Sequence, residues 1–240
     1  MAEELAPRDA YLRETTATVV AVTPEGVVLD RTVFYPRGGG QPGDTGRLEW
    51  EGGSAVVADT VRSAGEVMHV LAAGEAPPLG TPVRAAIDWE RRHLLMRTHT
   101  ALHVLSALVW REYGAKVTGG NMEPGQARMD FELESMSVEF GREVEVRLNR
   151  MLGESHPVRV LFLPRAQALA DPDLIRTKVS LIPEHVDPIR VVDIAGLDRQ
   201  ADGGTHVADT LEVGPVRVVK TESKGKGNKR MRIEVGSPSA

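Results

Sequence analysis
Two hydrophobic periods divide this chain, and the change from one to the other falls near residue 88. Ahead of it, short runs of β-branched residues are punctuated by glycine and proline. Thr18–Val22 is followed by the turn Pro24-Glu25-Gly26, then by Val27–Leu29 and Thr32–Tyr35. Further short strands are predicted near Ala55–Val61, Val67–Leu71 and Val83–Ile87, while residues 1–13 read as a strand lead-in or loose start. Arg37 to Gly46 holds five glycines in ten residues, too many for a regular element. It is no phosphate loop, because it lacks the Gly-Lys-Ser/Thr ending. Residues 1–88 are therefore expected to form a small β-barrel or sandwich, a glycine-rich domain for which the barrel is the choice.

From Trp89 to Tyr113 the period becomes helical, with Asp88 as N-cap, no internal Gly or Pro, and Gly114 as the stop. At about 100° per residue, Leu94, Thr98, Ala101, Leu102, Leu105, Leu108 and Val109 fill one arc. Arg97, Thr100 and Arg111 project roughly opposite. Beyond the helix, Lys116–Gly120 reads as strand and turn, Ala127–Leu133 as a half-buried strand, and Val138–Leu152 as a second amphipathic helix. Val158–Leu163 is a strand and Pro164–Ala170 a short helix; residues 188–195 and 213–220 add two strands, joined through a loop at Asp202–His206. Helices and strands that do not strictly alternate predict an α+β fold: the barrel, then an α/β-sandwich domain over residues 89–240 built around the long helix.

Composition narrows the setting. The chain has 240 residues, 41% of them hydrophobic, enough for one large or two modest cores. No apolar run approaches the roughly 18 residues of a membrane span. The acidic start, Met1-Ala2-Glu3-Glu4-Leu5, lacks a signal peptide's apolar segment, so a cytoplasmic protein is expected. The absence of cysteine excludes disulfides, thiolate catalysis and cysteine-ligated zinc. A net charge of −5 speaks against a broad nucleic-acid coat, yet Arg217 to Arg232 carries seven basic residues against one acid, Glu222. Such a patch can hold a phosphate backbone or be only a solvated basic tail.

Candidate chemistry lies on the long helix. His99 and His103 are four residues apart, which places both imidazoles on one side, at the margin of the apolar arc. Downstream, Asp202-Gly203-Gly204-Thr205-His206 offers a carboxylate and an imidazole at the same spacing. Together they make four nitrogen and oxygen ligands, the number of a tetrahedral zinc site. Packing histidines are the competing reading, and the Gly-Gly between Asp202 and His206, which lets backbone approach a ligand closely, favours the metal. No Glu flanks the pair as in His-Glu-x-x-His, so a metalloprotease base is missing.

Several motifs now fall in the order of one family. Phe34-Tyr35-Pro36 with Gly38-Gly39-Gly40-Gln41-Pro42 and Asp44-x-Gly46, then His99-x3-His103, Arg128-x-Asp130-Phe131, Arg190-Val191-Val192, Gly203-Gly204-Thr205-His206 and Lys224-Gly225-x-Gly227 resemble the free-standing alanyl-tRNA editing proteins, the AlaX family. The likeness spans Val22 to Val235 and is to the medium-length form, similar to the editing domain of alanyl-tRNA synthetase.

The resemblance implies a hydrolase that deacylates tRNA(Ala) mischarged with serine or glycine, acting on the acceptor end in the service of translation fidelity, with no ATP requirement. It implies one Zn2+ held by His99, His103 and His206, with Asp202 standing where the family commonly has cysteine. Asp202 is then the fourth ligand or, in a three-histidine site, an outer partner and the nearest candidate base. The metal either activates water or only grips the substrate. Thr118 falls where the family places a pocket-lining polar residue, and Lys224, Lys226 and Arg230 are candidates for tRNA backbone contact. Gly38, Gly39, Gly40 and Gln41 bend over the site or make a tight barrel corner. Two other readings stand beside this one: a metal hydrolase of another ester or amide, and a metal-free tRNA- or synthetase-binding module.

Overall fold
The computed structural model describes residues 2–171, 174, 182–184 and 186–237. It divides into two compact units, residues 1–94 and 95–240. The first contains β1 (Glu3–Glu4), β2 (Glu14–Thr23), β3 (Gly26–Leu29), β4 (Arg31–Thr32), β5 (Gly46–Trp50), β6 (Gly53–Ser63), β7 (Glu66–Leu71) and β8 (Pro82–Ile87). Six of these close into an antiparallel barrel in the order β2-β3-β7-β6-β5-β8, while β1 pairs in parallel with β4. Its interior is filled by the inward members of the alternating strands, among them Ala17, Val19, Val27, Leu29, Leu48, Val57, Val83 and Ala85. Each buried valine or leucine there contributes roughly 1.5–3 kcal/mol.

Two features depart from the expected strands. β5 was hidden behind the glycine-rich run, although Arg47-Leu48-Glu49 alternates outward, inward, outward. The stretch Thr32–Tyr35 is a strand only over Arg31–Thr32, because the backbone of Tyr35 turns to pair with Asp44. Tyr35 N–H donates to Asp44 Oδ2 at 2.6 Å and Asp44 N–H to the Tyr35 carbonyl at 2.9 Å. Inside the loop, Gly38 and Gln41 exchange backbone hydrogen bonds of 3.1 and 2.9 Å around Gly39 and Gly40, whose φ values are +58° and +84°. Positive φ at both central residues is the two-residue hairpin turn that glycine alone adopts freely. Gly46 is required for closeness instead, since a Cβ there would lie 2.2 Å from the Ala86 carbonyl oxygen.

The helix α1 (Trp89–Tyr113) runs from the first unit into the second. Asp88 caps it by accepting from Arg91 N–H at 3.1 Å, and Gly114, at φ +61°, ends it. From Leu95 to Val109 every residue is buried, so the polar face assigned to Arg97 and Thr100 is not a solvent face. Those side chains are absorbed by backbone. The Arg97 guanidinium donates to the Val213 carbonyl at 2.7–2.9 Å and also to Gly236, and Thr100 Oγ1 accepts from Val207 N–H at 3.3 Å. Arg111 is exposed, as expected.

The second unit continues with β9 (Val117–Glu123), β10 (Gln126–Phe131), α2 (Val138–Leu152), β11 (Val158–Leu163), α3 (Arg165–Ala170), β12 (Ile189–Ile194), β13 (Asp198–Ala201), β14 (Val216–Ser223) and β15 (Lys229–Val235). They form a four-stranded sheet, β14-β15-β10-β9, and a three-stranded one, β11-β12-β13. Gly119 and Gly120 lie within β9 rather than in a turn, which falls at Pro124–Gly125. α2 starts at Ser137, whose hydroxyl accepts from Phe140 N–H at 3.0 Å, and buries Val144, Leu148 and Leu152. It packs on β14 through Gly141, where a Cβ would come within 2.8 Å of Thr221 Cγ2. The fold is α+β, barrel first, with His99 and His103 on the long helix. Among the described residues, no helix is long and apolar enough to cross a membrane.

Candidate metal centre
α1 presents His99 and His103 one turn apart, their ring centroids separated by 5.2 Å. The chain leaving β13 brings Asp202 and His206 against them: the His206 ring lies 4.4 Å from that of His99 and 4.7 Å from that of His103. One donor atom from each of the four lies within 4.8 Å of all the others. Asp202 Oδ2 is 3.6 Å from His99 Nε2 and 3.9 Å from His103 Nε2, and Oδ1 is 3.0 Å from His206 Nε2. Ligand atoms of a tetrahedral zinc ion are separated by about 3.3–3.6 Å, given bonds of about 2.0–2.2 Å. The spacing and the donor chemistry fit a divalent cation.

The outer partners fit as well. His103 Nδ1 is 2.9 Å from Asp198 Oδ2, and His206 Nδ1 is 3.2 Å from Thr100 Oγ1. Each leaves Nε2 as the nitrogen that faces the cluster. Asp202 is shaped by its own loop: Oδ1 accepts from Gly204 N–H at 2.8 Å, the turn that the paired glycines permit. The Arg190 guanidinium donates to the Asp202 carbonyl at 2.8 Å and stays 3.9 Å from the carboxylate.

Burial sets the electrostatics. It pushes the His99 imidazole down to about 4, with Asp202 pulling the other way. Burial and then the charge of His99 hold His206 well below its ordinary value. At His103 burial also lowers, but the carboxylates of Asp198 and Asp202 outweigh it and lift the group to about 9. Burial alone would raise Asp202; His99, His103 and His206 hold it well below the usual carboxylate range instead. The result is an ionised carboxylate among imidazoles that favour their neutral, metal-binding form at two of three positions.

The other residues singled out from sequence stand on other elements. Thr118, half-buried on β9, donates its hydroxyl to Asn228 Oδ1 at 3.0 Å. Lys224 and Lys226 are exposed on the turn between β14 and β15. Arg230 grips Asp130 across the strands at 2.7 and 2.8 Å. Gly38, Gly39, Gly40 and Gln41 form the turn already described in the first unit. Sequence reasoning missed Asp198, Gln200 and Thr100. For the first two the usable signal was alternation, since Asp198, Gln200 and Asp202 share one face of an extended chain.

The barrel and the segment that carries Asp202 and His206 each match a domain family of tRNA synthetases. The family described as tRNA synthetases class II (A) matches residues 10–91, and that described as threonyl and alanyl tRNA synthetase second additional domain matches residues 189–232. The chain is 38% identical to the alanyl-tRNA editing protein AlaX-M of Saccharolobus solfataricus over 98% of its own length and 99% of that protein's. It is 37% identical to AlaX-M of Methanosarcina acetivorans, over 96% and 98% of the two chains. Against the alanine–tRNA ligase of Korarchaeum cryptofilum it is 35% identical over 97% of this chain but only 26% of the ligase. The chain belongs to the AlaX family of alanyl-tRNA editing proteins.

Proposed function
We propose that this protein hydrolyses the ester of tRNA(Ala) mischarged with serine or glycine, at one zinc ion held by His99, His103, Asp202 and His206. The observation that carries the reading is the convergence of these four donors within 4.8 Å from two segments about a hundred residues apart, in a chain of full-length kinship to alanyl-tRNA editing proteins. Bound there, zinc supplies Lewis acidity toward a carbonyl oxygen or a water. The remaining work falls to the chain. In the hydrolysis, water oxygen bonds to the acyl carbon, the bond from that carbon to the ribose oxygen breaks, and the ribose oxygen takes up a proton.

Asp202 acts as a ligand rather than a base. Its Oδ1 is committed to Gly204 and His206, its Oδ2 faces two imidazoles, and a carboxylate this acidic is a weak proton acceptor. Thr118 reads the serine hydroxyl: donating to Asn228 leaves its lone pairs to accept. A site built to pair a hydroxyl rejects alanine, which lacks one. The test is deacylation of serine-, glycine- and alanine-charged tRNA(Ala) by purified protein, with metal determined on the same sample. Rapid loss of serine, sparing of alanine and about one zinc per chain, the count of a single four-ligand site, are expected. No hydrolysis and no metal would replace this reading with a binding module.

A further inference from the structure
We propose that Asp198 is a positioning residue of the metal centre, a buried carboxylate that holds His103 with Nε2 turned toward the cation. The inference rests on the reading that the four-residue cluster holds a divalent metal, and it deepens that reading.

Asp198 opens β13, and its side chain has no exposed surface. Its Oδ2 accepts from His103 Nδ1 at 2.9 Å and from Gln200 Nε2 at 2.7 Å. An ionised carboxylate can only accept, so the shared proton sits on Nδ1, and when the ring gives up its other proton to bind a cation the lone pair is on Nε2. That nitrogen is the one 3.9 Å from Asp202. Because alternate residues of an extended chain share a face, β13 and the residue that follows it address both nitrogens of one ring, with Asp198 behind it and Asp202 in front. Gln200, midway between them, fixes the rear carboxylate.

The strand is also held lengthwise against the helix. The β12–β13 turn closes with Leu197 N–H on the Ile194 carbonyl at 2.8 Å, and Gly196 supplies the positive φ of +76°. Arg111, two turns beyond His103 on α1, donates to the Gly196 carbonyl at 2.9 Å. A slip of β13 along α1 would break this bond and the Asp198–His103 bond together.

A buried acid that merely satisfied a polar hydrogen would leave metal affinity untouched. The full chain, D198N and D198A are compared by zinc competition with a chromogenic chelator, by circular dichroism, and by long-range proton–nitrogen spectra that report which imidazole nitrogens are protonated. D198A is expected to bind zinc about 10- to 100-fold more weakly, with His103 no longer confined to one tautomer, and D198N to fall between it and the parent. The amide introduced by D198N can still accept from Nδ1 but carries no charge. Parent-like affinity in folded D198A overturns the proposal. Should D198A fail to fold, parent-like affinity in D198N overturns it. A parent that binds no zinc overturns the metal reading itself, a result distinct from tight parental binding that the variants leave unmoved.

Discussion

Both units bury a histidine and an acid, and the two sets have opposite chemistry. In the barrel, His69 is fully buried, its Nδ1 donating to the Val27 carbonyl at 3.1 Å and its Nε2 accepting from Thr32 at 2.8 Å. Thr32 Oγ1 in turn accepts from Phe34 N–H at 3.0 Å. Every polar atom in that chain has a neutral partner. Buried Asp44 is cancelled by Arg92, whose Nε lies 2.9 Å away and whose other donors reach the Ala10 and Val33 carbonyls at 3.0 and 2.8 Å. In the second unit three imidazoles turn a nitrogen toward one carboxylate, and the nearest guanidinium, Arg190, stays 3.9 Å from it. Burial and residue type are the same in both places. What separates a packing histidine from a ligand histidine is whether its second nitrogen meets a saturated partner or other donors of a shared centre.

The largest effect is expected where that contrast is sharpest. His206→Ala should remove zinc and slow deacylation of serine-charged tRNA by about 10^4-fold, several kcal/mol of transition-state stabilisation. His69→Gln should keep metal content and rate while lowering stability by about 1–3 kcal/mol, the cost of an unmade buried hydrogen bond. Metal analysis and single-turnover deacylation on both variants decide it. Full activity in His206→Ala would remove the metal from the mechanism, and loss of zinc in His69→Gln would erase the distinction between the two histidines.

Next is the pair of acids. Asp44→Ala leaves the Arg92 guanidinium buried without its counter-ion and should cost about 3–5 kcal/mol. Denaturant unfolding measures the loss, and zinc affinity should not move.

How far these differences could be read in advance follows from what each element looks like along the chain. α1 was legible to the residue because cap, period and glycine stop agree, and the i,i+4 histidines lie within it. β15 was obscured by its own charge. Lys229 to Val235 alternates strictly, with Met231, Ile233 and Val235 inward, but its arginines draw the eye to a basic patch. β13 offers little apolar signal: three of its four residues are polar, Asp198 and Gln200 pairing with each other behind His103, and only Ala201 packs on a core. Asp198 becomes visible only once that strand is known. Arg97 and Thr100 were placed on an outer face because helical periodicity records polarity, and nothing in it shows that carbonyls will surround a guanidinium.

Acid should sharpen the comparison by an intermediate amount. Burial holds His69 at about 4, against about 6.5 for an unfolded chain. A depressed value means that stability is complete above the unfolded pKa and is lost as pH falls. Between about pH 6.5 and 4 the unfolded chain takes up a proton that the barrel refuses, a loss of about 3 kcal/mol that levels off below. Hydrogen exchange at the β3 and β7 amides should record it in the parent and not in His69→Gln. Equal pH profiles would mean that His69 does not carry the acid sensitivity of the barrel.

The smallest effect carries the comparison to the surface, where charge is either committed or free to meet a phosphate. Arg230 is committed: it grips Asp130 with two hydrogen bonds and holds the Asp130 carboxyl below its ordinary range. Lys224 and Lys226 project from the β14–β15 turn. If they meet the tRNA backbone, the double variant Lys224→Ala, Lys226→Ala should weaken binding several-fold at moderate salt. It should also flatten the slope of log affinity against log salt by about 0.7–0.9 per lysine, with the single-turnover rate at saturation unchanged. Arg230→Ala should instead loosen the β10–β15 pairing and show as lost stability. The two variants behaving alike in a salt titration would mean that Arg230 leaves Asp130 to bind the nucleic acid, and that its ion pair is a resting contact rather than part of the sheet's frame.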